Sequence, residues 1–413
     1  MGSGSGTRTR RSRVLTALRQ FAISTLVLLV AVIAFGLFIG ADAHLFEDRL
    51  AYHLDGEVHV FFEDGVPVAH VVRGDNDRGF SVDTIRPNGD GVTTIRVTYP
   101  ADSSAFDVTL DTAIETPMAI QSDGEPVVAL SDIESGFGAF RDFLVTHGVA
   151  DSAMRWTFGT GHLVLVGDFV DRGASTTPVL WAAYALEQSA RLAGGTVHFI
   201  VGNHEIKNLQ GNFQTAEEKY FHIAGILGKQ QSQLFDDDAF LGRWLASKNV
   251  VEVINGVAFV HGGLHPDITK YQLSIEEINR IVREGYRTPY YSPVTVTQES
   301  FLRSGTTGPA WYRGYFKDDL TPDQITRSLE SVGANAVVVG HTLQGKVKVK
   351  HQGKVIAIDV KHPKDYLTSF PFRRSEGLLI KDGTLFRLLD DGDRREIGTV
   401  PIDQGNPTIN GRR

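Results

Sequence analysis

The chain has 413 residues, a formal net charge of -8 and no cysteine. That length exceeds one average domain, so two folded units and a targeting segment are expected. The charge balance offers no basic surface for nucleic acid beyond the extreme N-terminus. The missing cysteines exclude disulfides, thiolate metal sites and a cysteine nucleophile.

Residues Phe21 to Ala41 form an uncharged apolar run behind Arg8, Arg10, Arg11, Arg13 and Arg19. About 20 apolar residues suffice to cross a bilayer as a helix. Arginines on that side predict a cytoplasmic segment 1–20, a membrane anchor 21–41 and an extracytoplasmic remainder, single-pass in the cell membrane. Ala41-Asp42-Ala43 also fits a small-x-small cleavage pattern, so a cleaved signal peptide and a secreted or periplasmic product is the alternative. A buried core helix fits less well, because the run has no polar face.

Residues 45–120 are expected to form a small β-rich module. Val58-His59-Val60-Phe61-Phe62, Ala69-His70-Val71-Val72 and Thr94-Ile95-Arg96-Val97-Thr98-Tyr99 alternate or run apolar between the turn signals Glu63-Asp64-Gly65 and Asn88-Gly89-Asp90-Gly91. Residues 111–126 keep no apolar period and read as a linker.

Residues 125–397 change character. Val127-Val128-Ala129-Leu130, Leu163-Val164-Leu165-Val166, Val197 to Val201, Val257-Ala258-Phe259-Val260 and Ala336-Val337-Val338-Val339 each run within a residue or two into Asp, Asn or His. Continuous apolar strands imply burial on both faces, an α/β architecture whose ligands gather at the strands' carboxyl ends. Thr215 to Lys248 reads as helical, and Asn255-Gly256 as a hairpin turn. Lys346 to His351, Val355 to Val360, Gly377 to Ile380 and Leu385 to Leu389 read as strands of a second sheet.

Five strand ends carry five motifs: Ser131-Asp132-Ile133-Glu134-Ser135-Gly136, Gly167-Asp168-Phe169-Val170-Asp171-Arg172-Gly173, Gly202-Asn203-His204-Glu205, His261-Gly262-Gly263 and Gly340-His341-Thr342. Singly, an Asp after a strand is usually a cap or turn former, and a lone His an ordinary hydrogen-bonded residue. Their succession is far more specific. It closely resembles the calcineurin-like metallophosphoesterases in their phosphoprotein phosphatase branch, and is similar to the bacterial Shewanella-like phosphatases.

The resemblance implies a two-sheet αββα sandwich and two divalent metal ions. Asp168 would bridge them, Asp132 would bind the first, and Asn203, His261 and His341 the second. His204 would be the general acid, oriented by Asp171. Arg172 would hold the phosphate with Arg313, from Gly308-Pro309-Ala310-Trp311-Tyr312-Arg313-Gly314. Such ions lower the pKa of a bridging water and clamp the attacking and leaving oxygens, and guanidinium forks meet phosphoryl oxygens bidentately. His265 reads as a bystander, and His198 and His222 as structural.

One position departs from the pattern. The branch reads Asp-x-His in its first motif, whereas this chain has Asp132-Ile133-Glu134, and Leu343 stands where other branches add a second His. Residues two apart at a strand end point to one side, so Glu134 is expected as a metal ligand beside Asp132. An oxygen-only first site would favour Mn²⁺ or Mg²⁺, and the imidazole-bearing second site Zn²⁺ or Fe.

The expected activity is hydrolysis of phosphate monoesters, on a phosphoprotein or a small phosphate ester. A phosphodiesterase, nucleotidase or pyrophosphatase on the same fold and a catalytically inactive membrane-tethered binding module are the alternatives. Tyr286 to Trp311 is aromatic and turn-rich, and Tyr290-Tyr291 is expected to shape the pocket.

Overall fold

A computed structural model describes residues 6–38, 43–44, 53–87, 93–317, 319–365, 369–370 and 373–401. The turn signal at 88–91 and residues 41–42 of the cleavage pattern lie outside them. Contacts divide the chain into Met1–Glu47 with Leu367–Arg373, and Asp48–Tyr366 with Arg374–Arg413.

The first unit carries the helix Gly6–Phe38. Its stretch Arg13–Gly36, with a mean hydropathy of 2.1, is long and apolar enough to cross a membrane or to act as a signal sequence. Its large apolar side chains, Leu26 and Phe35 among them, are exposed all round, as a helix without a protein-facing stripe must be.

The second unit is built on two six-stranded sheets packed face to face. The first runs in the order Thr196–Ile200, His162–Val166, Val127–Leu130, Glu376–Lys381, Thr384–Leu389, Arg394–Thr399, and the second Lys348–Lys350, Val355–Ala357, Ala336–Val339, Val257–Val260, Val251–Ile254, Ile120–Gln121. The strands that lead into the motifs pair in parallel within each sheet, so their carboxyl ends share one edge.

Alternate side chains explain why these strands are apolar throughout. Val127, Ala129, Val164, Val166 and Ile200 meet Ile254, Val257, Phe259, Val338 and Ile356 between the sheets. Leu163, Leu165 and Phe199 face the outer core, which includes side chains of the helices Phe137–Thr146 and Thr176–Ala193. Each such burial contributes roughly 1.5–3 kcal/mol against chain entropy.

At one margin the inter-sheet faces turn polar. Asp123 meets His162 at 3.0 Å, His162 meets His198 at 3.0 Å, and His198 meets Glu252 at 2.6 Å. This buried chain pairs every group it encloses, which is the condition for polar atoms in a low-dielectric interior.

The β-rich segment forms a three-stranded sheet (Val58–Glu63, Val66–Asp75, Gly79–Ile85) and a two-stranded one (Thr93–Tyr99, Ser104–Leu110). It shares the outer core of the sandwich. Phe62 stacks on Phe240 at 5.8 Å, the Trp181 indole donates to the Val58 carbonyl at 3.1 Å, and Lys219 pairs with Glu57 in the interior. Tyr99 packs on Phe137 at 4.8 Å, against the helix that follows the first motif.

Three local expectations change. Residues 215–248 do not form one helix: Lys219–Ile226, a 3-10 turn at Gln231–Leu234 and Phe240–Ala246 are separated, with Gly228 left-handed at φ 68° behind the first. Ile120–Gln121 in the expected linker pairs as an edge strand with Val253 and Ile254. Glu376–Lys381 and Thr384–Leu389 join the first sheet, antiparallel beside Val127–Leu130, while Lys348–Lys350 and Val355–Ala357 join the second. Apolar alternation identifies a strand and leaves its neighbour open, because either sheet offers the same buried face. The Asn255-Gly256 turn is as expected, left-handed at both residues (φ 50° and 76°) between antiparallel Val251–Ile254 and Val257–Val260.

Candidate metal centre

The motif residues follow the strand ends, Asn203, His204 and Glu205 in the first turn of the helix Asn203–Leu209 and the others in loops whose backbone is unusually bent. Asp132, Glu134, Ser135, Asp168, Asp171, Arg172 and His341 all have positive φ, between 47° and 68°. Non-glycine residues seldom adopt that region, and such strain gathers where the surroundings hold a functional geometry. These turns break the alternation across the sheet: Asp132, Asp168 and His341 come together, while Glu134 turns to Lys364 and Ser135 to Thr176.

The glycines beside them allow the close approach. A Cβ on Gly340 would lie 2.5 Å from Asp132 Oδ2, and one on Gly167 would lie 2.7 Å from His261 Nδ1. Glu205 braces the same loops: its carboxylate accepts the backbone N–H groups of Asp168 (2.9 Å), Phe169 (2.8 Å) and Gly202 (2.8 Å). Its place in the Gly-Asn-His-Glu motif was readable, but three backbone donors brought together by folding were not.

Ligand atoms of Asp168, His261 and His341 lie within 4.8 Å of one another, all buried. Asn203 Oδ1 is 3.2 Å from His261 Nε2, and Asp168 Oδ2 is 3.1 Å from the same nitrogen. His261 Nδ1 is committed to the Val166 carbonyl at 2.7 Å, which leaves Nε2 facing the carboxylates. Asp132 Oδ2 accepts the His341 backbone N–H at 3.1 Å, linking the first motif to the last. Carboxylate, carboxamide and imidazole donors gathered at one buried point fit a divalent cation.

The charges press in the same direction. Burial, with the like charge of Asp168, raises the Asp132 carboxyl to about 7. Asp168 is held low in spite of its burial, by His261 and His204. His261, although buried, rises to about 10 because it faces Asp168 and Asp132, while burial and the neighbouring His261 and Arg313 lower His341 to about 2.

Beside this cluster, His204 Nδ1 bonds Asp171 Oδ2 at 2.7 Å, and Asp171 also accepts from Asn208 Nδ2 (2.8 Å) and Thr215 Oγ1 (2.7 Å). Arg172 Nη2 donates to His204 Nε2 at 2.9 Å, and that nitrogen is 3.8 Å from Asp168 Oδ2. Arg313 approaches from the other side, donating to the His341 carbonyl and, at 3.3 Å, to Thr342 Oγ1.

Glu134 stands apart from the converging ligand atoms. One oxygen bonds Arg172 Nη1 and the other Lys364 Nζ at 2.7 Å. Burial would raise its carboxyl, but Lys364 and Arg172 hold it below the usual range. A further carboxylate that motif reading passed over, Asp359, lies two residues past the strand Val355–Ala357 and is 6% exposed. Burial and the charges of Asp132 and Glu134 push it well above the usual carboxylate range. It had the signal used for the other motifs, an apolar strand running into Asp.

The bystander and structural histidines are elsewhere. His265 accepts the Asp267 N–H as a turn cap, and His222 is exposed beside Glu218.

The calcineurin-like phosphoesterase family matches residues 125–345, more than half of the chain. A solved cold-active protein-tyrosine phosphatase of a psychrophilic Shewanella species superposes with a TM-score of 0.72 at 30% identity, covering 83% of this chain and 98% of that one. Shewanella-like protein phosphatase 2 of Arabidopsis thaliana is 26% identical over 336 residues, 68% of this chain and 82% of the relative. An uncharacterized Schizosaccharomyces pombe protein is 27% identical over 247 residues, 56% of this chain and 72% of its own length. With its two-sheet sandwich, this chain therefore belongs to the calcineurin-like phosphoesterases, in their phosphoprotein phosphatase branch.

Proposed function

We propose that the chain is a dinuclear-metal phosphatase acting on phosphate monoesters. The observation that carries this reading is the Asp171–His204–Arg172 chain, with His204 Nε2 3.8 Å from Asp168. It sets a proton carrier and a guanidinium beside the carboxylate that would be shared by the metals. Diester cleavage needs no second arginine for a dianionic phosphoryl group, and here Arg313 faces the cluster as well.

Asp168 would bridge two divalent cations, with Asp132 on the first and Asn203, His261 and His341 on the second. When bound, such a pair acidifies a water and offsets the charge on the phosphoryl oxygens. Arg172 and Arg313 would bind and orient the phosphate. Arg172 donates to His204 Nε2. An arriving phosphate takes over that guanidinium, leaving Nε2 to hold the proton that the leaving oxygen needs. Asp171, fixed by Asn208 and Thr215, orients the imidazole through Nδ1 so that Nε2 faces Asp168.

A phosphorylated protein is the substrate class this reading favours, and the solved relatives described as protein-tyrosine phosphatases support it. A pocket of about 480 Å³ between Gln210–Gln214 and Pro289–Tyr291 is lined by the aromatic residues Phe213, Tyr290 and Tyr291. The loop on its near side contacts the site, since the Thr215 carbonyl accepts the Arg172 N–H at 2.9 Å. The N-terminal helix would anchor the enzyme in the membrane with its catalytic unit outside, because five arginines precede the apolar run.

His204→Ala should lower kcat on an alkyl phosphate such as phosphoserine by about 10²–10⁴-fold and on p-nitrophenyl phosphate by less, because an aryl oxygen leaves with less protonation. Full turnover of the alkyl ester would exclude the acid role. Asp168→Asn should abolish hydrolysis in a folded protein. Faster cleavage of bis-p-nitrophenyl phosphate than of p-nitrophenyl phosphate would refute the monoesterase reading.

Metal binding should also release protons. His261 holds its proton up to about 10 in the metal-free site and must lose it to ligate. That proton stabilises the metal-free fold below the ordinary histidine pKa, and the contribution is lost as pH rises through about 10. Titrating metal-free protein with Mn²⁺ near pH ~8 in buffers of different ionisation enthalpy should reveal at least about one proton released per chain. No release would show that His261 is neutral there.

Topology has its own test. Protease added to intact cells or spheroplasts should degrade the catalytic unit, whereas protection until the membrane is lysed would contradict the exported orientation. A soluble form beginning near His44 would identify a cleaved signal peptide.

A further inference from the structure

We propose that Asp359 supplies the third protein ligand of the first metal site, and that Glu134 positions Arg172 instead of binding metal. The inference rests on the dinuclear reading above and names a ligand outside the five motifs.

Three observations carry it. The first is that both Glu134 oxygens are taken up. Arg172 engages one and Lys364 the other, and Lys364 also donates to the Glu134 carbonyl at 3.0 Å. A carboxylate held by two cations would have to share or give up at least one charge-assisted bond to ligate a metal.

The second is the position of Asp359. Val339 pairs with Ala357 in parallel register, so two residues beyond that pair His341 and Asp359 leave neighbouring strands side by side. His341 is the motif residue whose backbone N–H holds Asp132 at 3.1 Å. Asp359 thus leaves the second sheet beside His341, where Asp132 is the leading charge acting on it.

The third is the burial of Asp359 among other carboxylates. It is 6% exposed, and no hydrogen bond to its carboxylate is among the causes acting on it. The carboxylates Asp132, Glu134 and Asp168 act on it, against His261 and the Arg313 guanidinium, neither of which bonds it. A buried carboxylate facing others without a bonded counterion is costly unless a cation completes the arrangement. A divalent ion among Asp132, Asp168 and Asp359 would meet all three, with oxygen donors suited to Mn²⁺ or Mg²⁺. The imidazole absent from the first motif is then replaced from a different strand, and Glu134 is free to hold Arg172 at the phosphate.

The test compares wild type, Asp359→Asn, Asp359→Ala and Glu134→Gln by Mn²⁺ calorimetry, metal content after desalting and thermal melting with and without metal. Wild type should hold two ions. Both Asp359 variants should retain one, bind the other at least about tenfold more weakly, and melt no lower than wild type when metal-free, since a buried like charge has been removed. Glu134→Gln should keep two ions and raise KM for p-nitrophenyl phosphate. Two ions at wild-type affinity in both Asp359 variants, metal-free melting below wild type in both, or loss of an ion from Glu134→Gln alone would overturn the proposal. Fewer than two ions in wild type would overturn the dinuclear reading and the proposal with it.

Discussion

Mutual repulsion among buried carboxylates is the constraint on which the rest of this structure depends. Asp132, Asp168 and Asp359 are each less than a tenth exposed and act on one another at the ends of three different strands. Desolvation and like charge both oppose ionisation of Asp132 and Asp359, and His261, Arg172 and Arg313 offset this only in part. The fold holds them together because the sheets on either side are apolar and fully packed. The stability lost at the strand ends is offset by the inter-sheet core that begins one or two residues earlier. A site of this kind gains from cations, whose binding energy is added to that of the folded state.

The strained backbone follows from the same demand. Residues in a regular strand alternate sides, so one strand end can offer only every second side chain to a point. A left-handed residue at Asp132, Asp168 or His341 breaks the alternation and turns the ligand inward. Glycines then matter for what they omit: a Cβ on Gly340 would press on Asp132. Glu205 holds the loops from below by accepting three backbone N–H groups, a fully paired use of a buried acid. The Asp171–His204 pair is built in the same way, with Asp171 bonded by His204, Asn208 and Thr215.

Much of this was legible in the sequence, for identifiable reasons. Strands buried on both faces leave continuous apolar runs that end in short polar motifs, so the α/β architecture and the candidates Asp132, Asp168, Asn203, His204, His261 and His341 could be picked out, while the two-sheet sandwich followed from the resemblance those motifs carry. Sheet membership could not, because Glu376–Lys381 and Thr384–Leu389 carry the same alternation whichever sheet receives them. Nor could the partners of Glu134, since Lys364 is 230 positions away and meets it only through the fold. The spacing Asp132-x-Glu134 predicts a shared direction in an extended strand, and positive φ at both residues removes that premise. Asp359 lacks a recognisable motif and differs from an ordinary strand-end Asp only by its burial among other carboxylates.

The central claim is that these strand ends hold two cations bridged by Asp168. Anomalous diffraction from crystals of the Mn²⁺-loaded protein tests it most directly. The account predicts two peaks about 3.5–4 Å apart, with Asp168 between them, His261 and His341 at one and Asp132 at the other. A single peak held by Asp168, His261 and His341, with none beside Asp132, would contradict it.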